Sequence, residues 1–188
     1  MSRLLPPDLL SNLKNLRHVV FDFDGVFTTN EVIVREDGVE SVICNRSDGY
    51  GMRLLTESGV GVMILSTETN PVVYARAKKL KIECVAGIES KGEKLVEILK
   101  EKNIPAANVA YVGNDVNDLP CFSLVGLSVA VGDAFPEVKT SARWVLSESG
   151  GRGAVREFCE LVYRAKHDIP LSQSVWIYRE KRAPQKLV

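Results

Sequence analysis

Two aspartates separated by one phenylalanine, Asp22 and Asp24 in "FDFDGVF" (21–27), close an apolar run. A carboxylate in such a place is costly unless it is paired, hydrogen-bonded or bound to a metal. Residues two apart on a strand point to the same side, so the pair would repel without a cation between them. The pattern asks for a divalent metal. It is not an EF-hand loop: counted from Asp22, the sixth position is Phe27 instead of glycine and the twelfth Ile33 instead of glutamate. Capping of a turn accounts for Asp24-Gly25 but leaves Asp22, within the strand, without a reason.

Three further stretches bring complementary chemistry. Ser66 ends "VMILS", Lys91 opens a helix in "GIESKGEKL", and "GNDVND" (113–118) places Asn114, Asp115 and Asp118 behind "VAYV". Taken singly, each has a plainer role: Ser66 as a helix N-cap, Lys91 as a solvated lysine, Asp115 or Asp118 as a cap. Brought to one edge, they make a hard-oxygen Mg²⁺ site with an ammonium and a hydroxyl beside it.

Such an edge requires a parallel sheet. "HVVFDF" (18–23), "VGVMILS" (60–66), "IECVAG" (82–87), "NVAYVGND" (108–115) and "VGLSVAVGD" (125–133) are short, Val-rich runs that turn small or polar at their ends. Continuous apolar runs suit strands covered on both faces. Amphipathic helices are predicted over 7–15, 48–58, 71–80, 91–102, 135–142 and 153–166. The alternation implies an α/β fold with a doubly wound parallel sheet, whose ligands bind at the carboxyl ends of the strands. One segment departs from it: "EVIVREDGVESVIC" (31–44) is predicted to be a β-hairpin turning at Asp37-Gly38. The expected organisation is one domain over 1–166 and a tail over 167–188 carrying Trp176 and Tyr178.

Composition excludes several classes. The chain has 188 residues, is 45% hydrophobic, and balances 24 Lys and Arg against 24 Asp and Glu. That is enough for one substantial core, with no basic field for nucleic acid or an anionic membrane. The four cysteines form no CxxC pair and the two histidines lie far from them, which disfavours a zinc site or a disulfide framework. No apolar stretch reaches the length of a membrane span, and the first residues lack the pattern of a signal peptide, so a cytoplasmic protein is expected.

The order Asp-x-Asp, Ser, Lys, Gly-Asn-Asp-x-x-Asp resembles the haloacid dehalogenase superfamily of phosphotransferases. The resemblance implies that Asp22 attacks phosphorus and that Asp24 acts as general acid and then base. It further implies that Ser66 and Lys91 hold phosphate oxygens, and that Asp22, Asp24 and the "GND" loop hold Mg²⁺. One departure stands out: Asn114 replaces the aspartate of many relatives, so either the metal is held less tightly or Asp115 and Asp118 compensate. The intervals between motifs leave no room for a cap domain.

"DGVFT", "NRSDGYGMRLL", "VAYVGNDVNDL", "VGLSVAVGDAFP" and "GGRGAVREFCELV" most resemble the capless phosphatases of eight- and nine-carbon 2-keto-3-deoxy sugar acids. In that family the hairpin is implied to build a homotetramer in which neighbours cover one another's sites. "STE" (Ser66, Thr67, Glu68) and Ser47 before Asp48 resemble the nonulosonate 9-phosphate branch, with Glu68, Arg76 and Lys79 implied to contact the sugar acid. Arg76 and Lys79 are three apart, on one helical face. An octulosonate 8-phosphate phosphatase is the second reading, and a non-catalytic oligomerisation module the third. "GGRGAVRE" (150–157) lacks the Gly-Lys-Ser/Thr of a P-loop; it is read either as a plain helix entry or as a turn that places Arg152 at a neighbouring site, its free N–H groups open to an anion.

Overall fold

Six short apolar runs pair side by side, all parallel, in the computed structural model, which describes residues 5–170. In chain order the elements are α1 (Pro7–Asn15), β1 (His18–Phe21), β2 (Thr28–Val34), β3 (Glu40–Cys44), α2 (Asp48–Glu57), β4 (Gly61–Leu65), α3 (Val72–Leu80), β5 (Glu83–Val85), α4 (Lys91–Glu101), β6 (Val109–Gly113), α5 (Leu119–Phe122), β7 (Leu127–Ala130), α6 (Pro136–Ser141), β8 (Trp144–Val145) and α7 (Ala154–Lys166). The sheet order is β5-β4-β1-β6-β7-β8. β1 therefore lies between β4 and β6, with Phe21 opposite Ile64 and Val112. The chain winds outward from β1 in both directions, and the crevice this opens at the carboxyl ends of β1 and β6 is where such sheets bind ligands.

Helices on both faces account for the unbroken apolar runs. Every residue of β1, β6 and β7 is buried. α7 turns Val155, Phe158, Cys159 and Val162 inward, one stripe of an amphipathic helix. Phe158 meets Phe21 edge-on at 6.2 Å, and Phe21 meets Phe27 edge-on at 5.4 Å. Each such pair adds roughly 0.5–1.5 kcal/mol beyond burial. The cluster anchors the loop between β1 and β2 from below.

The predicted doubly wound sheet is the observed one. The sequence reading missed β8 and α5, two and four residues long, too short to show a period. The hairpin is present, with Gly38 at φ +79 in its turn, and it stands off the main sheet as a separate pair. Val32, Ile33 and Val34 are exposed on it. The tail expected over 167–188 lies, from residue 171 on and with Trp176 and Tyr178, outside the described residues. Among the described residues no helix is long and apolar enough to cross a membrane.

Candidate active site

Asp22 is the first residue beyond β1, and its N–H donates to Val112 O at 2.9 Å, so the sheet ladder itself fixes its backbone. Lys91 is the first residue of α4, from where its side chain reaches back over the sheet edge. Its ammonium lies 2.7 Å from Asp22 Oδ1 and 2.7 Å from Asp118 Oδ1. All three residues are buried. One positive charge thus faces two negative ones in a nearly dry site. Burial, and then the Asp118 carboxylate, push the Asp22 carboxyl up to about 7 against the pull of Lys91. Burial pulls the Lys91 ammonium down, but the two carboxylates outweigh it and hold it above its ordinary value.

Asp118 does not face the aspartate pair. Its Oδ1 accepts from Lys91 Nζ and from Tyr111 OH at 2.9 Å, and its Oδ2 accepts from the N–H groups of Asn114 at 2.9 Å and Asp115 at 3.2 Å. All the acceptor positions of a carboxylate are then in use. The expectation that Asp118 ligates the metal is therefore corrected: it anchors Lys91 and the Asn114 backbone. Asp115 Oδ1 accepts from Val116 N, capping the short 3-10 turn Val116–Asp118, and is likewise turned to local structure.

Asn114 is the member of this loop that reaches the pair. Its terminal amide lies 2.8 Å from Asp24 O and 3.2 Å from Asp22 Oδ2, and its NH₂ group donates to both. With the amide oxygen turned inward instead, the same three groups would present oxygens to a cation. The spacing suits a small dication: with metal–oxygen distances of 2.0–2.1 Å, neighbouring ligands of an octahedron lie about 2.9 Å apart. The surplus negative charge of the Asp22–Lys91–Asp118 group fits the same conclusion. Among the described residues no three His, Cys, Asp or Glu side chains gather as a metal cluster. The set here is instead one carboxylate, one backbone carbonyl and one amide.

Ser66, just past β4, is buried. Its Oγ accepts from Glu68 N at 3.1 Å, which leaves the hydroxyl proton free to donate. Asp24 is half-buried and opens on a cleft whose other walls are Asn30, Glu40, Glu68, Asn70 and valines of β2, β3 and α3. Burial, and then the Glu68 charge, raise the Asp24 carboxyl above its usual range. Asn70 Nδ2 donates to Glu40 Oε2 at 3.3 Å and ties the hairpin to the β4–α3 loop.

Two sequence expectations are redirected. Arg76 is not a free cation: it donates to Asn45 O at 2.6 Å and to Asp48 Oδ2 at 2.9 Å, in an ion pair whose side chains are 16% and 2% exposed. Lys79 and Thr67 are exposed. "GGRG" is not an anion cradle: Gly150 N donates to Asp133 Oδ1, Gly151 N to Val26 O, and Arg152 N to Ser149 O. A Cβ on Gly150 would lie 1.8 Å from Gly25 O, and one on Gly151 2.5 Å from Thr28 C. The paired glycines let this loop buttress the loop that carries Asp24, while Arg152 points out to solvent.

Tyr111 reads in the sequence as one more apolar residue of a strand. A hydroxyl inside a strand covered on both faces needs a partner, and that was the available signal.

A family model of haloacid dehalogenase-like hydrolases matches residues 64–158. The 3-deoxy-D-manno-octulosonate 8-phosphate phosphatase of Salmonella typhimurium is 36% identical over 163 residues, 85% of this chain and 86% of its own length. The chain belongs to the haloacid dehalogenase-like hydrolases. A family hydrolase from Streptomyces avermitilis superposes with a TM-score of 0.78 at 46% identity, over 84% of this chain and 88% of its own. The 3-deoxy-D-manno-octulosonate 8-phosphate phosphatase of Moraxella catarrhalis, solved with magnesium, phosphate and the sugar acid, superposes with a TM-score of 0.82. It is 28% identical and matches over 86% of this chain and 94% of its own.

Proposed function

We propose that the protein is a Mg²⁺-dependent phosphatase of 3-deoxy-D-manno-octulosonate 8-phosphate. One observation carries the chemistry: Lys91 holds one oxygen of Asp22 while the other lies 3.2 Å from the Asn114 amide, which also reaches the Asp24 carbonyl at 2.8 Å. With the amide oxygen turned inward, Asp22, the Asp24 carbonyl and Asn114 would hold the metal. Bound there, Mg²⁺ supplies positive charge to the phosphoryl oxygens and keeps Asp22 ionised.

The residues divide the work of an in-line displacement. Asp22 attacks phosphorus and the sugar alkoxide leaves, giving an aspartyl-phosphate. Lys91 directs two of its N–H bonds to Asp22 and Asp118 and keeps the third for a phosphoryl oxygen, as Ser66 does with its hydroxyl. Asp24, with its carboxyl raised, donates a proton to the leaving oxygen. It then takes one from the water that hydrolyses the acyl phosphate. Since Asp24 opens on the cleft, the sugar lies there, against Asn30, Asn70 and Glu68. Asp22→Asn should abolish turnover with the fold intact; turnover near that of the wild type would refute the mechanism.

The eight-carbon substrate is favoured by the curated relative and the ligand-bound neighbour, both named for it. It is also favoured by Arg76, whose engagement with Asp48 removes one of the cations that a nonulosonate 9-phosphate was expected to meet. Glu68, aimed into the cleft, is the feature on the side of the nine-carbon reading. Phosphate release from both sugar-acid phosphates, with and without Mg²⁺, tests the choice: a higher kcat/KM on the nine-carbon substrate would reverse it. We further propose a homotetramer built through the apolar hairpin. Light scattering that finds a fully active monomer would contradict it.

A further inference from the structure

We propose that Asn70 is a positioning residue for the sugar: it holds Glu40 and Glu68 as a fixed pair of hydrogen-bond acceptors for hydroxyls of the leaving group. The inference rests on the phosphatase reading above and concerns the cleft beside Asp24, apart from the metal and the phosphate. Asp24, Glu40, Glu68, Asn30 and Asn70 line that cleft with three valines, and among the described residues no cation stands with them. A sugar hydroxyl donates to a carboxylate, whereas the carboxylate of a sugar acid is repelled by one. The hydroxyl-bearing part of the substrate therefore belongs here.

A carboxylate selects among hydroxyls when it is held still, and Asn70 holds both. Its N–H donates to Glu68 Oε1 at 2.7 Å and its Nδ2 to Glu40 Oε2 at 3.3 Å. Its own Oδ1 accepts from Val72 N at 3.0 Å, which fixes which end of the amide is oxygen and turns NH₂ towards the hairpin. Pro71 follows at φ -62, so the backbone that aims the amide is preset. Glu68 is pinned from other sides as well: its N–H donates to Ser66 Oγ, and its carbonyl accepts from Gly87 N at 2.8 Å. The loop that presents Ser66 to phosphate thus also aims Glu68 at the sugar. Glu40 comes from the hairpin, which stands off the main sheet, and among the described residues its side chain bonds Asn70 alone. Glu68 Oε2 and Glu40 Oε1, without a partner among those residues, remain to accept from a ligand.

The test uses the full chain with Mg²⁺, the substrate 3-deoxy-D-manno-octulosonate 8-phosphate, and p-nitrophenyl phosphate, an ester without hydroxyls. Asn70→Asp keeps an oxygen for Val72 N but sets a carboxylate against Glu40. Its kcat/KM should fall about tenfold more on the sugar phosphate than on the aryl ester. The fall should come through KM, because hydroxyls remote from phosphorus are bound alike before and during reaction. Adding Glu40→Gln reverses donor and acceptor in the same bond and leaves an amide oxygen for the sugar, so the double variant should recover most of the loss. Equal losses on the two substrates would make Asn70 a support of the fold alone. A loss that Glu40→Gln does not restore would place the Asn70 amide itself on the substrate. Either result, or a KM for the sugar phosphate unmoved by Asn70→Asp, would overturn the proposal and leave the phosphatase reading standing. No phosphate release from the sugar phosphate by the wild type would overturn both.

Discussion

Tyr111→Phe removes one hydroxyl from the hydrogen-bond chain behind the Asp22–Lys91 pair. Tyr111 is fully buried and its ring meets Phe122 edge-on at 6.1 Å, a contact that phenylalanine keeps. The substitution therefore removes the bond to Asp118 Oδ1 together with the hydroxyl's contact with the Cys121 thiol. A hydrogen bond to a charged group contributes about 1.5–3 kcal/mol. Because Lys91 remains on the same oxygen at 2.7 Å, the low end, about 1.5 kcal/mol, applies. At roughly 2–4 °C per kcal/mol for a chain of this size, the melting temperature should fall by about 3–6 °C. The same loss gives Asp118 freedom to rotate, and both Lys91 Nζ and the Asn114 backbone follow it. If most of that slack reaches the transition state, kcat falls about tenfold with KM little changed. Steady-state kinetics beside a thermal melt would check both numbers. A melting temperature lowered as expected with kcat within twofold of the wild type would refute the reasoning, since the hydroxyl would then support the fold and not the site.

Arg76→Ala should destabilise the protein by about 3–5 kcal/mol, the usual result of leaving a buried charge unpaired. It should lower activity on eight- and nine-carbon substrates in equal proportion; a loss confined to the longer one would return Arg76 to substrate binding. In the wild type, burial raises the Asp48 carboxyl to about 6 despite Arg76, so its contribution to stability is full at acid pH and lost as pH rises through about 6. His18 runs the other way. Burial lowers its pKa below 6.5, so its contribution is present above that value and lost as pH falls. Its Nε2 has no partner among the described residues. His18→Leu should therefore gain stability relative to the wild type between pH 7 and 5 in urea titrations, and a constant difference would contradict this. Gly150→Ala drives a Cβ into Gly25 O and should lower both kcat and melting temperature, overpacking costing about 1–3 kcal/mol. Gly49→Ala, whose Cβ would meet only Leu80 Cδ2 at 3.7 Å, should leave kcat unchanged and so serves as the control.

The residues legible in the sequence were those at strand ends and helix starts. Asp22, Ser66 and Lys91 each close or open an apolar run, so local pattern places them at one edge once the sheet is parallel. Arg76 was illegible for the opposite reason. Its spacing from Lys79 names a shared helix face, but its partner Asp48 lies on another helix, and no local pattern reports an ion pair across the fold. Asp118 failed similarly: an acidic residue near a metal motif reads as a ligand until Lys91, Tyr111 and two backbone N–H groups are seen to occupy it. The glycines of "GGRG" looked like an anion turn because their need for close approach comes from a loop far earlier in the chain.

The buttress formed by Gly150 and Gly151 also orders the assembly of the protein in time. The loop carrying Asp24 emerges early in synthesis, yet the backbone it leans on is among the last of the described residues to be made. β1 likewise waits for β6 before its second edge is covered. Such non-local pairings slow folding, because loop closure must precede the contacts that reward it. A nascent chain that already contains Asp22, Asp24, Ser66 and Lys91 therefore lacks the support of its Asp24 loop until residue 151 has left the ribosome.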